Sequence, residues 1–245
     1  ATNAVLTVSG ALVGLVTTKG YKDVLQIARS FVPGGLGGWV IWNKRPPLAP
    51  LELTVEADER MGADGQVVVP LDEEAVRASL QTLFDSGIEA LTVALFNAYT
   101  NEAHELRIAQ IAREMAPHIP VSTSAAIMPE MFEYERTETT VVNSYVRPVV
   151  SRYIDNLRSE LTSRMGDVHL QNLRPAGGLS SAPGAMHQPA NLLMSGPAGG
   201  LSGALCVACW GGFPNLPPFD TGRPSTDRAP LQPRRASTPP RAPAP

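Results

Sequence analysis

Residues 72–99 read "DEEAVRASLQTLFDSGIEALTVALFNAY", and their pattern decides the fold class. Asp72 is placed to accept hydrogen bonds from the first free amides of a helix. Ala75, Val76, Leu80 and Leu83 then fall on one face at helical spacing, which predicts a helix over 73–86. Gly87 can take the left-handed conformation that ends it. "IEALTVALFNAY" follows as an apolar run of the length of a buried strand. A helix leading straight into a buried strand is the repeating half of an α/β fold with parallel strands.

The same alternation extends in both directions. Upstream, "ALVGLVTTKG" (11–20) reads as a short buried strand, and Val24, Leu25, Ile27 and Ala28 give 21–30 a helical face. Residues 31–50, with "PGGLGG" and "RPPLAP", read as a long loop. Residues 51–71 read as one hairpin: Leu51, Leu53 and Val55 alternate, Asp64-Gly65 turns, and Val67–Val69 return. Downstream, Asn101 caps a helix over 102–116, "VSTS" is a strand, and a long helix runs from about Glu133 to Arg164 with Pro148 inside it. "DVHLQNL" begins a second, shorter α/β unit.

Composition bounds the function. The 245 residues are 43% apolar, enough for a sizeable core, and carry a net charge of −3. That balance offers no footprint for nucleic acid and no basic surface for a membrane. Two cysteines do not make a disulfide framework, so a reducing, cytoplasmic setting is the expectation. No secretory signal pattern opens the chain. Its first residue is Ala1, which suggests a processed chain or a fragment. No Lys, Arg, Asp or Glu lies between Arg174 and Asp220. "LLMSGPAGGLSGALCVACW" within that stretch has the length of a membrane span. Gly196-Pro197 and Gly199-Gly200 interrupt it, and no basic flank follows, so it reads as a buried loop and helix of a soluble protein. Residues 214–245 hold ten prolines and five arginines but no Lys or Glu, and 228–245 are expected to lack regular structure.

Four segments are candidates for chemistry. "SGPAGG" (195–200) follows the apolar Leu192, Leu193 and Met194, as a strand entering a glycine-rich turn and then a helix would. Free amides there suit a phosphate, which makes Ser195, Gly196, Gly199 and Gly200 cofactor-binding candidates; tight packing explains the same glycines. "FDTGRPSTD" (219–227) offers Gly222, Ser225 and Thr226 to a phosphate and Asp220 and Asp227 to Mg²⁺. Ordinary turn chemistry is its alternative. Cys206 and Cys209 have C-x-x-C spacing but sit mid-helix among apolar residues, which favours buried packing over zinc or redox use. In "EMFEYERTETT" (130–140), Glu135 and Arg136 are the catalytic candidates if the cluster lines a cleft. A solvated helix face explains the same charges. His104 and His118 read as surface or capping residues.

Taken together, "GLVTTKGYKDVLQIAR", "RPPLAPLELTVEADERMGADGQVVVPLDEEAV", "EYERTETTVVNSYVRPVVSRYIDNL" and "GGLSSAPGAMHQPANLLMSGPAGGLSGAL" resemble the A-type subunit of the hydantoinase/oxoprolinase family. The resemblance covers residues 1–227 and implies an actin-like, sugar-kinase-like (ribonuclease H-like) ATPase core with mixed sheets. It implies 1–138 as the family's N-terminal domain type, 139–227 as the start of its A-type domain, and 228–245 as a Pro/Arg-rich tail. It further implies ATP and Mg²⁺, a lactam or ketone substrate, and a B-type subunit as partner, with self-association also open. The segment around 170–200 is most similar to members that carboxylate ketones. The family's first phosphate loop, D-x-G-G-T-x-T-D, lies upstream of the pattern matched here. Its second, F-D-M-G-G-T-S-T-D-V, corresponds to "FDTGRPSTDR" (219–228), with Arg223 and Pro224 in place of a glycine and a threonine. Arg223 puts a side chain where the backbone approaches phosphate, and Pro224 removes an amide donor. On this reading the chain is a catalytically incomplete piece of an ATP-dependent cyclic-amide hydrolase. A ketone carboxylase subunit and a non-catalytic binding module are its alternatives.

Overall fold

A computed structural model of the chain describes residues 1–29, 44–212, 219–221, 226–228, 231–232 and 235–236. The elements run, in chain order, α1 (Thr2–Leu6), β1 (Val13–Thr18), α2 (Val24–Ile27), β2 (Thr54–Ala57), β3 (Arg60–Met61), β4 (Val67–Val69) and α3 (Glu73–Asp85). Then come β5 (Ala90–Ala94), α4 (Ala103–Met115), β6 (Val121–Thr123), α5 (Ser124–Ile127) and the 33-residue α6 (Glu133–Met165). The remainder comprises β7 (Gln171–Leu173), β8 (Leu179–Ser181), α7 (Ala182–His187), α8 (Ser195–Gly211) and four short strands, β9 (Phe219–Thr221), β10 (Thr226–Arg228), β11 (Leu231–Gln232) and β12 (Arg235–Ala236). The chain divides into two units, Gly10–Arg152 and Ala1–Ser9 with Tyr153–Pro245.

The Gly10–Arg152 unit is a parallel sheet in the order β2-β1-β5-β6. Every residue of β1 and β5 is buried, as strands covered on both faces must be. One face carries the apolar core: Val16, Leu91, Val93 and Val121 meet Val76, Leu80 and Leu83 of α3 and Ile108, Ile111 and Ala112 of α4. Burying each of these larger side chains contributes roughly 1.5–3 kcal/mol. The alternate residues meet the first half of α6, and that interface is polar. Thr92 Oγ1 donates to Ser144 Oγ (2.7 Å), Asn143 Nδ2 to Ser122 Oγ (3.2 Å), and an Arg147 nitrogen to the Val121 carbonyl (2.7 Å). The α6 sequence therefore looks weakly amphipathic because its buried stripe holds Thr137, Thr140, Asn143 and Ser144 beside Val141 and Val146.

Local signals place α3 as expected. Asp72 Oδ1 accepts from the Ala75 amide (3.0 Å), and Gly87 follows the helix at φ +77°. The expected 51–71 hairpin is corrected. Leu51–Leu53 form a 3-10 turn, β2 leaves to pair in parallel with β1, and only β3 and β4 make the antiparallel pair. Asp58 and Glu59 separate the two pieces, so the 51–71 segment serves two sheets.

In the other unit, β7 pairs with β8 and Ser181 Oγ accepts from the Gly184 amide at the start of α7. The expected strand before "SGPAGG" is absent. Residues Pro189–Leu192 are a 3-10 turn, Met194 takes a left-handed conformation (φ +62°), and Ser195 already begins α8. The buried loop and helix expected here are likewise corrected. Within α8 only Ala208 is buried, Val207 and Trp210 are exposed, and Cys206 and Cys209 are exposed free thiols. By length and composition Pro189–Gly211 could cross a membrane. The 3-10 turn and left-handed Met194 divide it, and no basic residues flank it. Within 228–245 the described residues are Arg228, closing β10, and the paired β11 and β12; the other residues of that tail, and 31–43 of the expected 31–50 loop, lie outside the described residues.

One glycine tests the packing of α6. A Cβ on Gly10 would overlap the ring of buried Tyr145, whose carbonyl accepts from the Ala11 amide (2.9 Å). Gly10→Ala is expected to destabilise the Gly10–Arg152 unit by about 1–3 kcal/mol. Urea unfolding followed by tryptophan-independent circular dichroism measures it, and an unchanged midpoint would show that Tyr145 gives way freely.

Candidate functional site

Strand order reverses between β1 and β5, because β2 lies on one side and β6 on the other. In open parallel sheets a ligand crevice forms at the carboxyl ends of the strands at such a point. Here those ends are Thr18, the Leu95–Asn97 turn, Asp58–Glu59 and Ser124, and each carries or meets a polar group.

The deepest part is a three-residue relay. Glu105 is fully buried on α4. Its Oε1 accepts from the Leu95 amide (2.9 Å) and the Ser124 hydroxyl (2.6 Å), and its Oε2 from the Ala125 amide (2.9 Å). Arg136, 1% exposed, donates from Nε to Ser124 Oγ (3.0 Å). Its other nitrogens reach the carbonyls of Glu130 (2.6 Å) and Leu95 (2.8 Å) and Glu133 Oε1 (3.1 Å), and the guanidinium lies over Tyr99. Burial pushes the Glu105 carboxyl up to about 7, against the pull of the Ala125 and Leu95 amides, the Ser124 hydroxyl and Arg136.

Beside the relay, Thr18 Oγ1 accepts from the Phe96 amide (2.9 Å) and donates to buried Glu59, whose other oxygen lies 2.7 Å from His104 Nδ1. Asn97 holds a left-handed backbone (φ +59°), rare for a residue with a side chain, and its Nδ2 donates to the Met61 carbonyl (3.0 Å). Tyr21 and Phe96 stack at 4.6 Å, with Arg60 within 5.2 Å of both ring centres. The turn after β1 offers the amides of Gly20 and Lys22, and Glu56 Oε1 accepts both (2.9 and 3.3 Å).

The sequence candidates fall in separate places. Arg136 is buried rather than on a solvated face, and its donors are committed to the protein. Glu135 points elsewhere: Oε1 accepts from Arg29 Nε (2.6 Å), while Oε2 is buried without a partner among the described residues. Partial burial opposes its charged form, yet the Arg29 guanidinium holds its carboxyl below the ordinary value. Ser195, Gly196, Gly199 and Gly200 lie inside α8. Pro197 has no N–H, the Ala198 amide donates to the Met194 carbonyl (3.2 Å) and the Met194 amide to Thr2 Oγ1 (2.9 Å). No bond from the Ser195 or Gly196 amide is present among the described residues. A Cβ on Gly199 would sit 2.8 Å from Leu173 Cδ2, the movable end of an exposed side chain. Asp220 and Asp227 are register partners in the β9–β10 pair, as are Thr221 and Thr226. Gly222 and Ser225 lie outside the described residues. Among the described residues no cluster of three or more His, Cys, Asp or Glu could hold a metal.

Sequence reasoning missed Glu105 and Glu59 and read His104 only as a surface or capping residue. "NEAHE" (101–105) was legible as a helix start, but Glu59 lies 45 residues from His104 and nothing local joins them.

The chain belongs to the hydantoinase/oxoprolinase family. Residues 1–116 match that family's N-terminal region and residues 136–239 its hydantoinase/oxoprolinase region. Caprolactamase subunit alpha of Pseudomonas jessenii is 31% identical over 93% of this chain and 33% of its own length. The solved structure of that ATP-dependent caprolactamase superposes at a TM-score of 0.79, with 30% identity over 94% of this chain and 33% of that one. 5-Oxoprolinase 1 of Arabidopsis thaliana is 32% identical over 83% of this chain and 17% of its own length. Nucleotide-free acetone carboxylase superposes at a TM-score of 0.84, with 26% identity over 94% of this chain and 34% of that one. The chain thus spans about a third or less of the length of these relatives.

Two outcomes follow from the geometry. A carboxyl whose folded value is raised favours the fold fully below the ordinary value of 4.5, and that contribution is lost as pH rises through about 7. The stability of the chain should therefore decline between pH 4.5 and 7, and Glu105→Gln should flatten the decline in urea titrations across that range. Gly196→Ala, with open space around it, should stabilise α8 by about 1 kcal/mol through helix propensity, and Gly199→Ala should gain less, because the end of the Leu173 side chain must swing aside. A larger gain in Gly199→Ala than in Gly196→Ala would show that Leu173 does not crowd that position.

Proposed function

We propose that the chain supplies part of the nucleotide-dependent machinery of an enzyme that opens cyclic amides such as a lactam, hydantoin or 5-oxoproline. The observation that carries this reading is the superposition of 94% of the chain on an ATP-dependent caprolactamase, supported by its likeness to a 5-oxoprolinase. In it, ATP activates the amide carbonyl, and a B-type subunit completes the enzyme. Asp220 and Asp227 would hold Mg²⁺ from the register position they share in the β9–β10 pair, with Gly222, Ser225, Thr226 and the Ser195–Gly200 segment as the residues for phosphate. In the catalytic pair, Glu135 keeps a free oxygen for acid–base work, and Arg136 holds the surrounding turns in place. The superposition on acetone carboxylase favours a second reading, ATP-dependent carboxylation of a ketone.

Arg223 and Pro224 decide what the purified chain does by itself. Losing one well-placed donor commonly costs about 10²–10³ in rate, and this loop has exchanged a glycine, a hydroxyl and an amide. Phosphate release from saturating MgATP is expected at background, with or without caprolactam. The double change Arg223→Gly, Pro224→Thr is expected to raise MgATP affinity measured by calorimetry, and Asp220→Asn to abolish the gain. Turnover by the unaltered chain that depends on Asp220 would refute the inactive assignment. Dependence of that turnover on bicarbonate and a ketone would select carboxylation over amide opening.

A further inference from the structure

We propose that His104 is a proton-accepting residue at the carboxyl edge of the sheet, with Glu59 and Thr18 as its positioning residues. The hydrogen-bond directions follow from one fixed donor. The Phe96 N–H can only donate, so Thr18 Oγ1 accepts it and turns its own proton towards Glu59 Oε1. Glu59 is thereby an acceptor at that oxygen. As a carboxylate its Oε2 accepts as well, so His104 Nδ1 carries the proton and Nε2 keeps its lone pair.

Burial separates the two ends of this chain. The Glu59 side chain is fully buried, whereas that of His104 is 12% exposed. No residue among those described bonds Nε2. A buried carboxylate behind an imidazole whose far nitrogen is open is the arrangement that fixes a tautomer and stabilises the imidazolium once formed.

The location adds an independent argument. His104 sits in the first turn of α4, and Thr18 and Phe96 mark the carboxyl ends of β1 and β5, where the strand order reverses. In the step proposed, water transfers a proton to Nε2 as its oxygen bonds to a carbonyl carbon and the C=O π pair moves to oxygen. The Glu59 carboxylate balances the new imidazolium. The choice of water as donor rests on the hydrolytic reading above. The arrangement of the three residues does not, and none of the following assays uses ATP.

Three measurements on the whole chain test the assignment. Nitrogen-15 NMR should show His104 as the Nδ1–H tautomer. Diethyl pyrocarbonate should modify His104 faster than His118, which is more exposed and has no hydrogen-bond partner among the described residues. In Glu59→Gln the amide can donate to Nδ1, moving the ring proton to Nε2, and modification should slow about tenfold or more. Hydrolysis of p-nitrophenyl acetate by the chain should drop in His104→Gln, a residue near the surface whose loss spares the core. An Nε2–H tautomer, modification no faster than that of His118, or an ester hydrolysis rate unchanged in His104→Gln would each overturn the proposal. Should Glu59→Gln fail to fold, the other measurements stand.

Discussion

The Glu105–Ser124–Arg136 relay is the constraint on which the Gly10–Arg152 unit depends. Parallel strands leave their carboxyl ends as separate turns with unpaired amides and carbonyls, and those groups need partners when buried. Glu105 answers the amides of Leu95 and Ala125, and Arg136 answers the carbonyls of Leu95 and Glu130. One acid and one base thus tie the turn after β5, the turn after β6 and the start of α6. Removing Glu105 would leave those two amides unpaired, and removing Arg136 the two carbonyls, a loss on the order of 1–3 kcal/mol for each buried group left without a partner. The remaining polar contacts between α6 and the sheet require the register that this relay sets.

Much of the fold could be read from residues 72–99 because its signals are local: a cap, a 3.6-residue apolar period, a terminating glycine. The path of β2 could not. Leu51, Leu53 and Val55 alternate, and alternation specifies a strand without naming its neighbour. Pairing with β1 brings together residues some forty positions apart, a choice made by the core rather than by a turn. The same limit hid the relay and the Glu59–His104 pair. Arg136 looked solvent-facing because its neighbours Glu133, Glu135 and Glu138 are charged, yet a helix turns 100° per residue. Glu135 and Arg136 accordingly serve different surroundings.

The glycine-rich segment shows the opposite error, a motif read where geometry offers less. "SGPAGG" is helical from Ser195 onward, and Pro197 removes one of the amides that a phosphate would want. The helix it opens is apolar yet mostly exposed, in a chain whose relatives named above are about three or more times as long. Membership is secure on the two regional matches together. The chemistry of the longer relatives passes to this chain only through sites that its own residues can form.

Glu56 carries a consequence for selectivity. Its carboxylate is tethered beside the Gly20 and Lys22 amides, and so competes as an intramolecular ligand. Tethers of this kind act at effective concentrations of about millimolar or higher. A free anion entering the turn after β1 has first to displace that carboxylate from the two amides it already holds.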